Sequence, residues 1–374
     1  MLTTSPHHQA DQSYQGFEQG PIRPPSEAPS LLLRVMRNCP WNRCKFCPVY
    51  KGTEFSIRPV AHVKRDIDAI YDCVQALSKH SPEAGSRLGA PAAIFPAPLV
   101  DRQAWQAARH WVRYGRRSVF LQDANSLVLQ PEDLIEILQH LRHRFPEVRR
   151  VTCYARSTTV ARMADEDLAA LREAGLNRVH IGMESGADQV LKMIHKGTTK
   201  KRQIMAGVKI KQAGMELSEY YMPGLGGCSL WELNATETAA ALNQINPDFI
   251  RIRTLALPCD TPLYDDYQTG KFAKCSDVLM AQELLLFLES LSGVTSIIKN
   301  DHILNLLPEV EGKLPQDRER LLNIVRAFLA LEPPPPISLP GRAEAGDFFP
   351  VGRSAGPDQG RTGGRVLPPA RDHP

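Results

Sequence analysis

The spacing of apolar and polar positions changes period repeatedly between residues 30 and 265. Six short apolar runs have strand length and composition: "SLLLRVM" (30–36), "SVFLQDA" (118–124), "RVTCYARS" (150–157), "RVHIGMES" (178–185), "MELSEYYMPG" (215–224) and "DFIRIRTLALP" (248–258). Between them the period lengthens to that of helices. Residues 59–80 open with Pro59, residues 130–145 follow the second run, and "ADEDLAALREAG" ends at Gly175, a helix-stopping position. "DQVLKMIH" stops near Gly197, and "LWELNATETAAALNQI" fills the last gap. Strand–helix alternation of this kind predicts an α/β fold: a parallel sheet with helices on its outside, in about six units over residues 31–265. "DVLMAQELLLFLESLSG" and "DRERLLNIVRAFLAL" then predict a helical C-terminal extension over 266–332. Residues 1–30 and the Pro-, Gly- and Arg-bearing stretch 333–374 lack apolar surface to offset the entropy of ordering, and read as disordered.

Composition narrows the function classes. A net charge of +4 on 374 residues is too small to mark a nucleic-acid or anionic-membrane binder. No apolar run reaches the length of a membrane span, and the N-terminus lacks the basic and apolar parts of a secretory signal. Eight cysteines in so long a chain do not form a disulfide scaffold, so a reducing cytoplasm is the expected location. Clustered thiols there point to metal or redox chemistry.

Three of those thiols, Cys39, Cys44 and Cys47, sit in "NCPWNRCKFCPVYKG" (38–52), directly after the first predicted strand. Parallel α/β folds gather ligands at the carboxyl ends of their strands, so this loop falls at the chemical end of the sheet. A C-x4-C-x2-C spacing lets three thiolates ligate one centre. Structural zinc wants four ligands, and no second C-x2-C or H-x3-H pair supplies the fourth. A plant-type [2Fe-2S] site uses this spacing with a distant fourth cysteine, a place Cys73 offers, although Cys73 falls inside an amphipathic helix. Three cysteines with no fourth suit a [4Fe-4S] cluster with one iron left open.

The loop with Phe46 before its third cysteine, set after the first strand of a (βα)6 pattern, resembles the radical S-adenosylmethionine (SAM) superfamily. The usual spacing there is C-x3-C-x2-C, one residue shorter. Later segments are similar in order: "VFLQDANSLVL" with its polar turn, "NRVHIGMESGADQVLKMIHKG" like a G-x-E-S-G segment, "MPGLGG" without the usual acidic residue after it, and "IRTLALPCDTPLY". Together they cover about 230 residues and most resemble the branch with anaerobic coproporphyrinogen oxidases and tRNA-modifying enzymes. The resemblance implies a partial (βα)6 TIM-like barrel and a [4Fe-4S] cluster on Cys39, Cys44 and Cys47, whose open iron chelates SAM. It implies SAM contacts from Phe46, Asp123, Asn125, Glu184 and Ser185. It also implies a flavodoxin- or ferredoxin-type electron donor and reductive cleavage of SAM to methionine and a 5′-deoxyadenosyl radical.

Other residues have two readings each. Strand alternation puts His180 on the face of Glu184, as a ligand contact or as a hydrogen-bonded interior group. Arg156 pairs either with the methionine carboxylate or with a surface acid. Arg251 and Arg253 share a face and either hold an anionic substrate or SAM, or meet Asp and Glu partners. "NDHILNLLPEVEGKLP" (300–315) reads as a capped helix, or as a cap on the barrel mouth that offers His302. Cys228, Cys259 and Cys275 are spaced as ordinary thiols rather than a second cluster, and Cys73 and Cys153 as core. "MPGLGG" lacks the Lys-Ser/Thr of a phosphate-binding loop. A small-molecule substrate is favoured over RNA. The competing classes are tRNA modification and a non-catalytic iron–sulfur carrier or cluster/haem chaperone.

Overall fold

The computed structural model describes residues 13–80 and 101–331. The elements in chain order are β1 (Leu31–Arg34), β2 (Met36–Arg37), β3 (Ser56–Ile57), α1 (Val60–His80), α2 (Arg102–Arg113), β4 (Ser118–Gln122), α3 (Pro131–Arg144), β5 (Arg150–Ala155), α4 (Ser157–Val160) and α5 (Asp165–Glu173). They continue with β6 (Arg178–Glu184), α6 (Asp188–Met193), α7 (Lys200–Gln212), β7 (Glu216–Tyr221), α8 (Gly227–Ile245), β8 (Phe249–Ile252), α9 (Pro262–Gln268), α10 (Asp277–Ser290), β9 (Ile297–Lys299), β10 (Gly312–Lys313) and α11 (Arg318–Leu329).

The sheet runs β1-β4-β5-β6-β7-β8-β9-β10. Its strands are parallel from β1 to β9, and β10 joins antiparallel at the far edge. The first six parallel strands are the six apolar runs of the sequence, and they make the expected partial TIM-like barrel. The two-residue periodicity of each strand sorts its side chains. Leu31, Leu33, Val119, Leu121, Val151, Cys153, Val179, Ile181, Leu217 and Ile250 face the helices in one core, which also buries Cys73. Phe120, Thr152, Tyr154, His180, Tyr220 and Arg251 occupy the alternate positions and line a polar lumen.

Several features depart from the sequence reading. The strand–helix pattern assigns no helix to α2 or α7. Asp101 caps α2 by accepting from Gln103 N (2.8 Å) and Ala104 N (3.1 Å). In α7, basic residues blur the apolar stripe, and Gly207 lets the helix lie against Ile245, whose methyl would stand 2.6 Å from an added Cβ. The extension over 266–332 holds helices α10 and α11 but also supplies strands β9 and β10 to the sheet. Residues 300–311 form turns rather than the capped helix, and Asn305 fastens them to the end of β8 through Thr254 N (2.8 Å) and Ile252 O (2.7 Å).

The reading of 1–30 as disordered is corrected from Ser13 onward. Phe17 is buried, and Gln122 holds the backbone at Gly20 N (2.8 Å) and Ile22 O (2.6 Å). Glu18 pairs with Arg34 (3.2 Å), Arg37 (2.6 Å) and Arg58 (2.7 Å). Polar contacts and ion pairs order this segment, which an argument from apolar content does not see. Residues 1–12 and the expected tail 333–374 lie outside the described residues.

Glu283 of α10 ties the extension to the barrel. Its carboxylate accepts from Gly224 N (2.8 Å), Tyr221 Oη (2.8 Å) and Asn234 Nδ2 (2.6 Å). Burial outweighs these donors and pushes its pKa from 4.5 up to about 7. The folded state therefore holds this proton more tightly than the unfolded chain does. Its contribution to stability is full below pH 4.5 and is lost as pH rises to about 7. A Glu283→Gln variant has no such titration. Its stability relative to wild type is expected to rise by about 3 kcal/mol across that window and then level off. Urea unfolding at a series of pH values checks this, and a difference that does not vary with pH contradicts it.

Candidate functional site

β2 and β3 pair as a small hairpin, Met36 with Ile57 and Arg37 with Ser56, and the stretch between them carries the three thiols. Asn38 and Asn42 take left-handed conformations (φ 66° and 43°), which Asn tolerates better than most residues. The turn at Asn42 brings its N–H to Cys39 Sγ (3.5 Å), and its side-chain amide donates to Tyr50 O. The longer interval between Cys39 and Cys44 is thus a folded turn.

Neighbouring elements fix the loop on three sides. Asp123, at the end of β4, accepts from Asn38 N (3.0 Å) and pairs with Arg34 (2.6 Å). Trp41 donates to His195 O (2.8 Å), and its ring lies on Gly197, where an added Cβ would stand 2.3 Å from it. Gly197 has φ +73°, so both its conformation and its missing side chain serve this contact. Lys45 N donates to Ile194 O (2.9 Å), Leu263 N donates to Lys45 O (3.0 Å), and Lys45 Nζ pairs with Asp266 (2.6 Å). Phe46 packs on a second apolar cluster that includes Ile194, Leu255 and Leu263.

Cys39, Cys44 and Cys47 are free and half-buried. Burial raises the Cys44 thiol, while Lys196 and Arg156 pull it back toward thiolate. Cys47 is pushed up to about 11, chiefly by burial. Among the described residues, no three His, Cys, Asp or Glu side chains converge on a single-ion site. A cubane cluster does not require that convergence, because its thiolates bind different irons. Cys73 lies in the core near Asp101 and is not one of the thiols that act on this group.

Lys196 was not singled out by the sequence reading, although it sits directly before the helix-stopping Gly197. Its ammonium lies 3.2 Å from Glu184 Oε1 and 5.7 Å from the centroid of the Phe46 ring. Glu184 ends β6 at φ 64°, after a register shift between Ile181 and Glu184. Gly182 leaves the room this pair needs, since an added Cβ would stand 2.4 Å from Glu184 Oε1 and 3.2 Å from Lys196 Nζ. Glu184 Oε2 is buried without a hydrogen-bond partner. The Arg156 guanidinium donates to Lys196 O (2.8 Å) and covers the Trp41 ring at 4.8 Å. The structure therefore brings Glu184, Arg156 and Lys196 to the thiol loop and its Phe46.

Other expected contacts have partners of their own within the chain. Asp123 is engaged by Arg34 and Asn38, and Gly20 lies so close that an added Cβ would stand 1.8 Å from Oδ1. It supports the loop from below. Asn125 donates to Thr159 Oγ1 (2.9 Å) and accepts from Arg156 N (2.9 Å), so it positions Arg156. Ser185 Oγ accepts from Ala187 N (3.0 Å) at the start of α6. The register shift in β6 separates His180 from Glu184. His180 is fully buried among Phe120, Tyr154 and Tyr220, 3.8 Å from Glu27, and burial lowers its pKa to about 4. Arg251 pairs with Asp301 (2.8 Å) in the lumen, and Arg253 follows it on the same face. Cys228 is exposed and donates to Lys274 O (3.2 Å), Cys259 is exposed, and Cys275 is buried.

A three-thiol loop at the carboxyl end of the first strand of a partial α/β barrel, flanked by a Lys–Glu pair and an Arg, defines the class. Residues 33–238 match the family model of the radical SAM superfamily, and the chain belongs to that superfamily. It is 23% identical over 254 residues to a tRNA uridine(34) acetyltransferase of Methanocaldococcus infernus, covering 63% of this chain and 44% of that protein. The corresponding protein of Methanocaldococcus jannaschii is 22% identical over 261 residues, with 64% and 44% covered. The chain thus spans less than half the length of these curated relatives. Among solved structures it is similar to coproporphyrinogen III oxidase from Escherichia coli, with 14% identity, 70% of this chain and 52% of that chain covered, and a TM-score of 0.45.

Members of the superfamily use a [4Fe-4S] cluster and SAM, and the residues present fit both. Three unpaired thiols stand under positive charge from Lys196 and Arg156. The orphaned Glu184 Oε2 and the buried, unpartnered Tyr50 hydroxyl are polar atoms in want of a partner. Among the described residues, no helix is long and apolar enough to cross a membrane.

Proposed function

We propose that this chain is a radical SAM enzyme that reductively cleaves SAM at a cluster held by Cys39, Cys44 and Cys47, and that it acts on a small molecule. The observation that carries the reading is the Lys196–Glu184 pair beside three free thiols. When bound, such a centre supplies one electron to the sulfonium of SAM, from near the low end of a range of roughly −700 to +450 mV. The chain's own groups then have distinct tasks. Lys196 and Arg156 offset the negative charge of thiolates and present cations to the methionine carboxylate. Glu184, with one oxygen free, accepts from the methionine ammonium or a ribose hydroxyl. Phe46 offers an apolar edge to the adenine. The partly closed lumen limits water around the reacting atoms.

Reduced, anaerobically reconstituted protein examined by electron paramagnetic resonance with and without SAM tests the site. A cluster signal altered by SAM supports this reading, while an unaltered one supports the iron–sulfur carrier. The names of the two tRNA-modifying relatives favour RNA as a second substrate reading. Tight, steeply salt-dependent tRNA binding by the whole chain distinguishes it.

A further inference from the structure

Arg251 in β8 and Arg253 just past its end share a face by strand alternation, but their surroundings differ. Arg251 is buried and neutralised by Asp301, whose two oxygens lie 2.8 and 3.1 Å from one guanidinium nitrogen, and it also donates to Ser218 Oγ (3.2 Å). Arg253 is half-buried, and among the described residues no carboxylate lies within ion-pair distance of it. Its surroundings are Tyr220, which pairs in register with Arg251 on the adjoining strand, and the turns bearing His302, which Asn305 fastens to Thr254 N (2.8 Å). A half-buried guanidinium with no counter-ion is free to pair bidentately with an anionic ligand.

The neighbouring groups suit an anion. The Tyr220 hydroxyl is buried without a hydrogen-bond partner. His302 is carried by the 300–311 turns, which Asn305 fastens over the end of β8. The Tyr154 ring lies 6.4 Å from that of Tyr220, centroid to centroid.

We propose that Arg253 anchors a carboxylate or phosphate group of a small-molecule substrate in the lumen, with the Tyr220 hydroxyl as a second donor. The inference rests on the enzyme reading above and names the chemistry of its substrate. A substrate held there lies against the Tyr220 and Tyr154 rings.

The test uses the whole reconstituted chain with inorganic phosphate and acetate as probes, followed by calorimetry and phosphorus line broadening. Wild type is expected to bind at least one of them. Arg253→Gln is expected to weaken that binding at least about tenfold, and Arg253→Lys to retain part of it. SAM affinity and melting temperature should stay at wild-type values in both variants. Equal anion affinity in wild type and Arg253→Gln, or no anion binding by wild type, overturns the proposal. A SAM affinity that falls in step with phosphate overturns it too, because the anion held would then be the cosubstrate carboxylate. So does a loss in Arg253→Gln of tRNA binding that competes with phosphate. Since anion binding is read without turnover, failure of SAM cleavage in wild type sinks the enzyme reading and leaves this measurement standing.

Discussion

Cys44→Ala protein, reconstituted anaerobically with iron and sulfide, is expected to keep under about one tenth of the wild-type cluster iron. It should form no 5′-deoxyadenosine. Cys44 is the thiol on which both Lys196 and Arg156 act, and it stands between Cys39 and Cys47 in the chain. Two remaining thiolates leave a cubane with two open irons, a state that loses iron readily. The fold itself should tolerate the change. Cys44 is half-buried and its loop is held by Asp123, Trp41 and Lys45, so the melting temperature of the metal-free variant should match wild type. Iron and sulfide analysis beside thermal melting separates the two effects. Full iron retention in Cys44→Ala means that the ligand assignment is wrong.

Asp123→Ala is expected to lower stability by about 3 kcal/mol and to reduce cluster content with it. The carboxylate is fully buried, pairs with Arg34, and accepts from the N–H of Asn38, the residue immediately before Cys39. Burial raises its pKa even against Arg34, so the ion pair is not a large source of stability by itself. The expected loss comes from what removal leaves behind, a mostly buried guanidinium whose remaining carboxylate is the partly exposed Glu18 and a loop N–H without an acceptor. Asp123→Asn keeps an acceptor for Asn38 and should fall between the two. Denaturant unfolding of the metal-free proteins, with iron analysis after reconstitution, checks both parts. An Asp123→Ala variant as stable as wild type removes the supporting role assigned here.

The barrel was largely legible because each of its first six parallel strands combines an apolar outward face with a helix signal after it. Leu31, Val119, Val151, Val179, Leu217 and Ile250 carry that outward pattern. The short strands β9 and β10 were not, since three and two residues hold too little periodicity to register. The thiol loop stands out by composition alone, and Phe46 and Glu184 follow from the motif resemblance. Lys196 does not, because its role depends on a register shift in β6 that turns Glu184 toward it. Simple alternation put His180 beside Glu184 for the same reason, whereas the structure buries His180 against Glu27. Asp123 and Asn125 are expected as SAM contacts from the motif resemblance, which places a polar turn after the second strand. Their hydrogen bonds to Asn38 N and Arg156 N, which only the folded chain brings near, give them a supporting role that the sequence does not show.

The most direct test of the central claim is to add dithionite and SAM to the anaerobically reconstituted full chain and to assay 5′-deoxyadenosine by mass. The account predicts product that requires Cys39, Cys44 and Cys47 together and disappears when any one of them is replaced. A stable [4Fe-4S] protein that binds SAM and yields no 5′-deoxyadenosine with any reductant, or yields it equally without these thiols, would contradict it.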